Sequence, residues 1–323
     1  MVQYKQRWRF MGWIILAVLL MLVLGILLIS YICFYLAFYV PKKKRMYNTE
    51  DIPLPKGREY ESYHDRFTEW VLQTRALPQR DVSVRSFDGL TLHGKYYEYA
   101  PGAVVELLFH GYRSSPEHGL CGAVQRCFAL GRSALVVEQR ACGRSEGTVI
   151  TFGINEKRDC LTWLQFLLTE IDPTARVILS GVSMGAATVM MCADEELPPN
   201  VIAILADCGY TSPKEIIQKV LVDMKYPPRL VYPFIRLGAR LYGHVDIEAD
   251  SPLSAVKNSR LPIIFFHGEA DTFVPCDMSR RLFEACPSYK HLQLVTGAAH
   301  GLAFPAAEEE YLQTMREFFQ PIL

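Results

Sequence analysis

The sequence predicts an α/β domain with a mostly parallel central sheet and helices on both faces, preceded by one transmembrane helix. The first observation behind this prediction is an alternation of short apolar runs with helical stretches after Pro101-Gly102. Continuous apolar strands separated by amphipathic helices are typical of a parallel sheet covered on both faces. The second is a run without charged residues from Phe10 to Val40, which is longer than the roughly 20 residues that cross a bilayer.

The amino-terminal region divides into a short basic tail (1–9), the apolar run (10–40) and a basic juxtamembrane segment with a linker and a helix (41–80). The apolar run is too long for the hydrophobic part of a cleavable signal, which spans about 7–15 residues. Trp8 and Trp13 at one end, and Tyr35 and Tyr39 at the other, lie where interfacial aromatic belts form. We expect a single-pass membrane anchor; the alternative is a buried core helix, which is seldom so evenly apolar.

The net charge of zero conceals an asymmetry. The seven basic residues that flank the apolar run are Lys5, Arg7, Arg9, Lys42, Lys43, Lys44 and Arg45. Removing them from the 34 basic residues leaves 27 against 34 acidic ones, a net charge of −7 for the rest of the chain. A mildly acidic domain lacks the electrostatic footprint of a nucleic-acid binder. The basic clusters are expected to contact anionic lipid headgroups.

The sequence says little about the side of the membrane on which the domain lies. Three basic residues plus the amino terminus precede the apolar run and four basic residues follow it, so the positive-inside comparison is a tie. Eight of the nine cysteines lie beyond the run, without regular spacing. Scattered cysteines of this kind are typical of buried thiols in a reducing compartment. They favour a cytoplasmic domain, although an anaerobic host would also tolerate free thiols outside.

The α/β domain is predicted to span residues 81–323 and to begin with a hairpin. Two β-rich runs, Asp81–Phe87 and Leu90–Tyr99, are joined by Asp88-Gly89, which is a hairpin signal. Six further strands are predicted at Val104–Phe109, Ala134–Glu138, Val177–Leu179, Val201–Ala206, Ile263–Phe266 and Leu292–Val295. The sheet should therefore start antiparallel and continue parallel.

A proline-rich insertion without strands extends from about Ser212 to Ser259. Long segments of this kind with their own apolar content are often functional. We expect a helical cap over a site; the alternative is an ordinary pair of surface helices.

The stretch Gly181-Val-Ser183-Met-Gly185 follows one predicted strand and opens a helix. A nucleophile elbow needs small residues two positions before and after its serine, because strand and helix approach closely there. A serine hydroxyl is a weak nucleophile and needs a base. Of the eight histidines, His300 follows the last strand, and His110 and His267 are the rivals that also lie at strand ends.

The base must be oriented by an acid. Asp271 follows the strand 263–266, and Glu269 and Asp207 are rivals that rank below it. Ser183, Asp271 and His300 then occur in the chain order Ser, Asp, His of nucleophile-elbow enzymes. For the oxyanion hole we expect two backbone N–H donors, that of Met184 after the nucleophile and that of Tyr112 in the loop after strand 104–109.

The chain resembles the α/β-hydrolases, and in particular small membrane-anchored bacterial hydrolases of the serine aminopeptidase and prolyl oligopeptidase-like branch. The resemblance runs from about residue 80 to the end. It rests on the stretches His110–Tyr112, Glu138–Gly147, Gly181–Gly185, Asp207–Ser212 and His267–Asp271 and on His300. It implies a nucleophile at Ser183, an acid at Asp271 and a base at His300. Relatives usually begin the second loop with Asp and carry His where this chain has Cys142, at a position that is structural in the family.

The expected function is that of a membrane-tethered serine hydrolase that cleaves an acyl ester, a lipid being one candidate, through an acyl-enzyme. Its activity should fall in acid as the base is protonated. No metal or nucleotide cofactor is expected, because metal-binding spacings and phosphate-binding glycine motifs are missing from the sequence. The alternatives are an aminopeptidase-like amide hydrolase and a non-catalytic membrane scaffold that keeps the fold.

Overall fold

The computed structural model describes residues 2–45 and 51–323 and contains an eight-stranded sheet in the order β1-β2-β4-β3-β5-β6-β7-β8. The pairs β1–β2 and β2–β4 are antiparallel, and the other neighbouring strands are parallel. The predicted antiparallel start and parallel continuation are therefore confirmed. The strands are β1 (Arg80–Arg85), β2 (Thr91–Tyr97), β3 (Val105–Phe109), β4 (Ser133–Glu138), β5 (Val177–Val182), β6 (Val201–Asp207), β7 (Ile263–Gly268) and β8 (Lys290–Val295).

Helices cover both faces of this sheet. They are α1 (Val2–Ala37), α2 (Arg58–Glu61), α3 (His64–Ala76), α4 (Pro116–Gly119), α5 (Ala123–Ala129), α6 (Ile154–Phe166), α7 (Met184–Met190), α8 (Pro213–Asp223), α9 (Pro228–Tyr242), α10 (Pro252–Val256), α11 (Asp277–Ala285), α12 (Ala303–Ala306) and α13 (Glu308–Phe319). A 3₁₀ turn occupies Lys42–Lys44, and a π turn, Leu167–Ile171, extends α6.

Alternate side chains of the central strands enter different cores. Leu179 of β5 packs with Trp163 of α6 in one core, whereas its neighbour Ile178 packs with Phe67 of α3 and Phe318 of α13 in the other. Successive side chains of a strand point to opposite faces. Strands that are apolar on both faces are therefore the ones that take helices on both sides, as the sequence predicts.

The helix α1 is long and apolar enough to cross a membrane between Phe10 and Ala37. Its side chains are exposed from Phe10 to Leu24, but Ser30 and Phe34 are buried against the rest of the protein. The helix ends three residues before the predicted end of the apolar run. Phe38 and Val40 leave the helix and pack into the domain, where the backbone of Val40 donates to Thr148 O at 2.7 Å.

The insertion between β6 and β7 consists of α8, α9 and α10. Helix α9 lies along the carboxyl-terminal third of α1, with Tyr232 and Ile235 packed in the same cluster as Phe34 and Phe38. At the opposite end of α9, the hydroxyl of Tyr242 donates to Leu27 O at 3.1 Å. One face of the end of the apolar helix is therefore covered by the insertion, while Tyr31, Ile32, Tyr35 and Leu36 stay exposed.

Arg45 departs from the expectation that the basic residues after α1 contact lipid headgroups. Its guanidinium is buried and donates to the carbonyl oxygens of Ser145, at 2.6 Å, and Gly147. A buried charge of this kind is satisfied by protein carbonyls rather than by a membrane surface. Arg45 thus attaches the chain to the domain directly after the apolar helix.

Candidate active site

Ser183 lies on a sharp corner between β5 and α7. Its backbone has φ 57° and ψ −117°, a conformation that non-glycine residues rarely adopt. A Cβ at Gly181 would collide with the backbone of Gly185, and a Cβ at Gly185 would collide with the Phe109 carbonyl of β3. The two glycines of the motif are thus required by the close approach of strand and helix. The strain at Ser183 is typical of functional sites.

The structure brings Ser183, His300 and Asp271 together from three loops. Ser183 Oγ lies 3.0 Å from His300 Nε2, and His300 Nδ1 lies 2.6 Å from Asp271 Oδ2. Ser183 and Asp271 are buried, whereas the His300 side chain is partly exposed. The hydroxyl can donate to the ring, and the ring can donate to the carboxylate, which is the geometry of a serine nucleophile with an oriented base.

The second carboxylate oxygen of Asp271 accepts backbone N–H groups of Phe273 at 2.9 Å and Val274 at 2.8 Å. Oδ2 also lies 3.2 Å from His267 Nε2. Burial alone would raise the pKa of Asp271, but hydrogen bonds and charge from His267 and His300 outweigh it and lower the pKa to about 2. This carboxylate therefore stays ionised throughout the range in which a protein of this kind would work.

The rival acids have other partners. The carboxylate of Asp207 is buried and accepts the Tyr311 hydroxyl at 3.2 Å. Glu269 accepts the hydroxyl of Thr296 at 2.7 Å. Among the three candidate acids, Asp271 is the one whose carboxylate is hydrogen-bonded to His300, which is the contact that an orienting acid needs.

The rival histidines have structural contacts. His110 is fully buried; its Nε2 accepts the backbone N–H of Gln139 at 3.1 Å, and burial lowers its pKa to about 4. His267 Nδ1 accepts from Ser279 Oγ at 2.7 Å, and its Nε2 lies 2.8 Å from Val274 O and 3.2 Å from Asp271 Oδ2. The sequence places His267 at a strand end but does not indicate that it contacts Asp271. The turn that brings the side chains of His267 and Asp271 together cannot be recognised from the residue types.

The loop after β3 lies against the serine. A Cβ at Gly111 would lie 3.5 Å from Ser183 Cβ and 3.9 Å from Ser183 Oγ. Tyr112, the candidate oxyanion donor, is the next residue of this loop, and Met184, the other candidate, is the first residue of α7. The first N–H groups of a helix have no intrahelical partner. The loop that carries Tyr112 and the helix that begins at Met184 thus both adjoin Ser183, and the use of their N–H groups in an oxyanion hole stays a prediction.

Ser183 and His300 open into a cavity of about 200 Å³. Its walls are mainly apolar and aromatic; the lining residues are Pro55, Tyr60, Phe67, Gly111, Tyr112, Ser114, His118, Gly119, Cys121, Val182, Ser183, Phe273, His300, Gly301 and Leu302. Within the described part of the chain, which leaves out 46–50, no acidic side chain is among them. Ser114 and His118 form a polar pair in one wall, with Ser114 Oγ 2.9 Å from His118 Nδ1.

The wall over the cavity comes from the segment before the sheet rather than from the predicted cap. Pro55, Tyr60 and Phe67 line the cavity, and the hydroxyl of Tyr60 donates to His300 O at 2.9 Å. None of the residues 212–259 lines it. The insertion packs instead on α1 and beside Met184, through Ile216 of α8. It was expected over the site because of its apolar content, but that content is used to cover the apolar helix.

Within the described residues, one group of side chains could offer ligands to a metal, namely Cys208, Asp271 and His300. The 2.6 Å contact between His300 Nδ1 and Asp271 Oδ2 already uses the atoms that would bind the ion. Burial, followed by the nearby Asp207 and Asp271 carboxylates, raises the pKa of the Cys208 thiol well above its ordinary value. The group is better described as part of the Ser183 site than as a metal centre.

Solved structures share this architecture. The esterase Pf2001 of Pyrococcus furiosus superposes with a TM-score of 0.65 at 20% identity, covering 86% of this chain and 99% of the esterase. The acylaminoacyl peptidase of Pyrococcus horikoshii superposes with a TM-score of 0.54 at 19% identity, covering 78% of this chain and 43% of the peptidase. The chain has the α/β-hydrolase fold. The expected fold, with its apolar amino-terminal helix, is thereby confirmed.

Sequence relatives of this α/β-hydrolase-fold chain occur in bacteria and yeast. The uncharacterized protein YqkD of Bacillus subtilis is 23% identical over 190 residues, which cover 58% of this chain and 62% of YqkD. Protein bem46 of Schizosaccharomyces pombe is 26% identical over 245 residues, which cover 75% of this chain and 71% of bem46. No protein-family model matches the chain.

Cys142, which departs from the usual pattern of this fold, is buried in a cluster with Met184 and Ala187. Burial raises its pKa to about 12. A buried neutral thiol is unreactive. The position therefore serves packing.

Proposed function

We propose that the protein is a membrane-anchored serine hydrolase that cleaves carboxylic esters through an acyl-enzyme. Ser183 Oγ attacks the acyl carbonyl, His300 Nε2 takes its proton, and Asp271 holds the imidazole and stabilises the imidazolium. The backbone N–H groups of Met184 and Tyr112 stabilise the tetrahedral oxyanion. His300 then protonates the leaving alcohol, and a water activated by the same ring releases the acid.

The single observation that carries this proposal is the hydrogen-bonded line from Ser183 Oγ through His300 to Asp271, with distances of 3.0 and 2.6 Å. A scaffold would need neither the strained corner at Ser183 nor a base at hydrogen-bond distance from it. Strain of this kind persists only when the surrounding structure imposes it.

The cavity supports a short, uncharged acyl group as substrate. At about 200 Å³ it is smaller than the roughly 300–1,000 Å³ of sites that hold drug-sized ligands. Among the residues that the structure describes, its lining includes no carboxylate that could pair with the free amino group of a peptide. An amide hydrolase with a blocked substrate amine is the second candidate, because the acylaminoacyl peptidase has the same fold.

Membrane anchoring by α1 is supported by the length and hydropathy of Phe10–Ala37. The packing of Ser30, Phe34 and Phe38 in the domain also supports retention of this helix. Cleavage after it, as in a signal sequence, would remove side chains from a folded cluster.

A fluorophosphonate probe tests the proposal. We expect the wild-type protein to be labelled, Ser183→Ala to be unlabelled, and Ser254→Ala, at an exposed serine in α10, to be labelled like the wild type. A folded wild-type protein that stays unlabelled would favour the scaffold.

A substrate panel separates ester from amide hydrolysis. We expect p-nitrophenyl acetate and butyrate to be cleaved faster than longer esters and than aminoacyl or acylaminoacyl anilides. Cleavage of anilides alone would overturn the ester assignment while keeping the nucleophile.

A further inference from the structure

We propose that the carboxyl end of the apolar helix α1 is a positioning element of the catalytic centre, because it fixes the loop that carries the Tyr112 oxyanion donor. This inference rests on the proposed function and goes beyond it. It makes the hydrolase dependent on the docking of its own anchor helix.

Two consecutive side chains of the loop after β3 hold the end of α1. The Tyr112 hydroxyl donates to Ala37 O at 2.6 Å. The Arg113 guanidinium donates to Leu36 O at 2.9 Å and to Tyr39 O at 3.0 Å. The last carbonyls of a helix have no intrahelical partner, and a cation is favourable at that end. The loop therefore supplies donors that the helix end requires.

The same loop faces the nucleophile on its other side. Gly111 lies so close to Ser183 that a Cβ added at Gly111 would be 3.9 Å from Ser183 Oγ. The Tyr112 ring is largely buried and stacks on Phe152 at 5.1 Å between ring centres. Arg113 has φ 50°, so the chain is held in a strained turn directly after the donor. Tyr112, whose backbone N–H is the proposed donor, thus follows the residue that adjoins the serine and itself contacts α1.

Docking of α1 depends on a close helix–helix contact away from the cavity. Gly238 of α9 faces Ser30 of α1 so closely that a Cβ at Gly238 would collide with the Ser30 carbonyl. Phe38, at the end of the helix, packs edge-on against Phe152, with 5.5 Å between ring centres. Phe152 is also the ring on which Tyr112 stacks. A shift of α1 on α9 would therefore reach Tyr112 through both Ala37 and Phe152.

The first test is Tyr112→Phe in the full-length protein, with Tyr97→Phe as the matched control. Tyr112→Phe keeps the backbone donor and the ring but removes the hydrogen bond to Ala37 O. We expect kcat to fall about tenfold with KM changed less than about twofold, since a donor that moves by a fraction of an ångström loses transition-state contact. Tyr97→Phe removes a similar bond from a buried tyrosine, to Gln79 Oε1 at 3.0 Å, at a position that does not line the cavity, and should leave kcat unchanged.

The second test is Gly238→Val, which pushes α1 away from α9 without touching the cavity. We expect a fall in kcat similar to that of Tyr112→Phe and faster amide hydrogen exchange in residues 110–114. If both changes act through the helix end, the double variant should be no slower than the slower single variant, because coupled positions are not additive. The pH dependence of kcat should stay that of the wild type in all of them.

Three results would overturn the inference: wild-type kcat in folded Tyr112→Phe, wild-type exchange in residues 110–114 of Gly238→Val, or fully additive losses in the double variant. Failure of the proposed function has a different signature, since it would leave the wild type itself unlabelled by fluorophosphonate. The hydrogen-exchange measurement tests the link between α1 and the loop even then.

Discussion

The carboxylate of Asp271 is held by two histidines and two backbone N–H groups. These hydrogen bonds hold both carboxylate oxygens in place, and Oδ2 is the oxygen directed at the His300 ring. Asp207, one strand away, is similarly buried but has Tyr311 as its hydroxyl partner. Two buried aspartates in one site thus have different environments, and these determine which of them can act with the histidine.

Asp271→Asn should lower kcat about 10³–10⁴-fold with little change in KM, because an amide no longer holds the required imidazole tautomer. Asp207→Asn, its matched control, should keep kcat within about threefold, since its side chain is hydrogen-bonded to Tyr311 rather than to His300. Ester hydrolysis by the two purified variants measures this. Equal losses in both would contradict the assignment of the acid.

Asp207→Asn should also change how stability depends on pH. Burial, the main cause, raises the pKa of Asp207 in the folded protein to about 6, despite opposing effects of His267 and Arg126. The unfolded value is about 4, so the wild type loses stability as pH rises from about 4 to about 6. Asp207→Asn has no ionisable group at this position and so does not lose stability in this way. Its free energy of unfolding, relative to the wild type, should rise by about 2 kcal/mol across that interval.

Chemical denaturation at pH 4, 5, 6 and 7 measures this difference. A difference between the two proteins that stays constant across the interval would contradict the raised pKa.

At the scale of elements, the segment before the sheet forms one wall of the cavity. Tyr60 donates to the backbone of His300 at 2.9 Å, which attaches the segment to the site, and His64 Nε2 lies 2.9 Å from Pro55 O within the segment itself. Phe67 of α3 is buried and lines the cavity. The size of the cavity is therefore limited by α3 and the segment leading to it.

Phe67→Leu should widen the cavity and raise the ratio of kcat/KM for p-nitrophenyl octanoate to that for the acetate. A smaller side chain at the wall removes the steric limit on chain length. Phe318→Leu is the matched control, because Phe318 is buried in the same cluster but does not line the cavity. An unchanged ratio in Phe67→Leu, or the same change in both variants, would show that α3 does not set the chain length.

The sheet and the three loops of the candidate site could be predicted because each depends on local patterns. Apolar runs mark the strands, and Ser183, Asp271 and His300 each follow one of them. The cavity wall could not be predicted, since Pro55 and Tyr60 lie in a polar stretch whose position is set by contacts with residues more than 200 positions away. The insertion was expected at the cavity for its apolar content, which does not reveal which surface it covers.

At the scale of the whole molecule, α1 is longer than a bilayer requires. The apolar stretch from Phe10 to Ala37 has 28 residues, or about 42 Å of helix at 1.5 Å per residue, against about 30 Å of hydrocarbon. Over this excess, Ser30 and Phe34 are buried against the rest of the protein, whereas Tyr31, Ile32, Tyr35 and Leu36 on the other face are exposed. The helix is thus longer than a bilayer requires by about the length over which one of its faces packs on the domain.

The full-length protein should therefore stay in the membrane fraction after alkaline carbonate and high-salt washing, with its amino terminus intact. Burial of Phe34 and Phe38 in the domain makes the helix a part of the fold. Fractionation and mass spectrometry of the amino terminus measure this. A mature chain that begins after residue 40 would identify the helix as a signal sequence instead.

The chain is attached to the domain on both sides of the point where α1 ends. Before that point α1 packs on α9, and after it Arg45 donates to the carbonyls of Ser145 and Gly147. A domain attached to its membrane helix in this way could not rotate freely relative to that helix. Its cavity would stay at one height and one tilt relative to the bilayer, so the depth at which a substrate presents its carbonyl would itself select which molecules are cleaved.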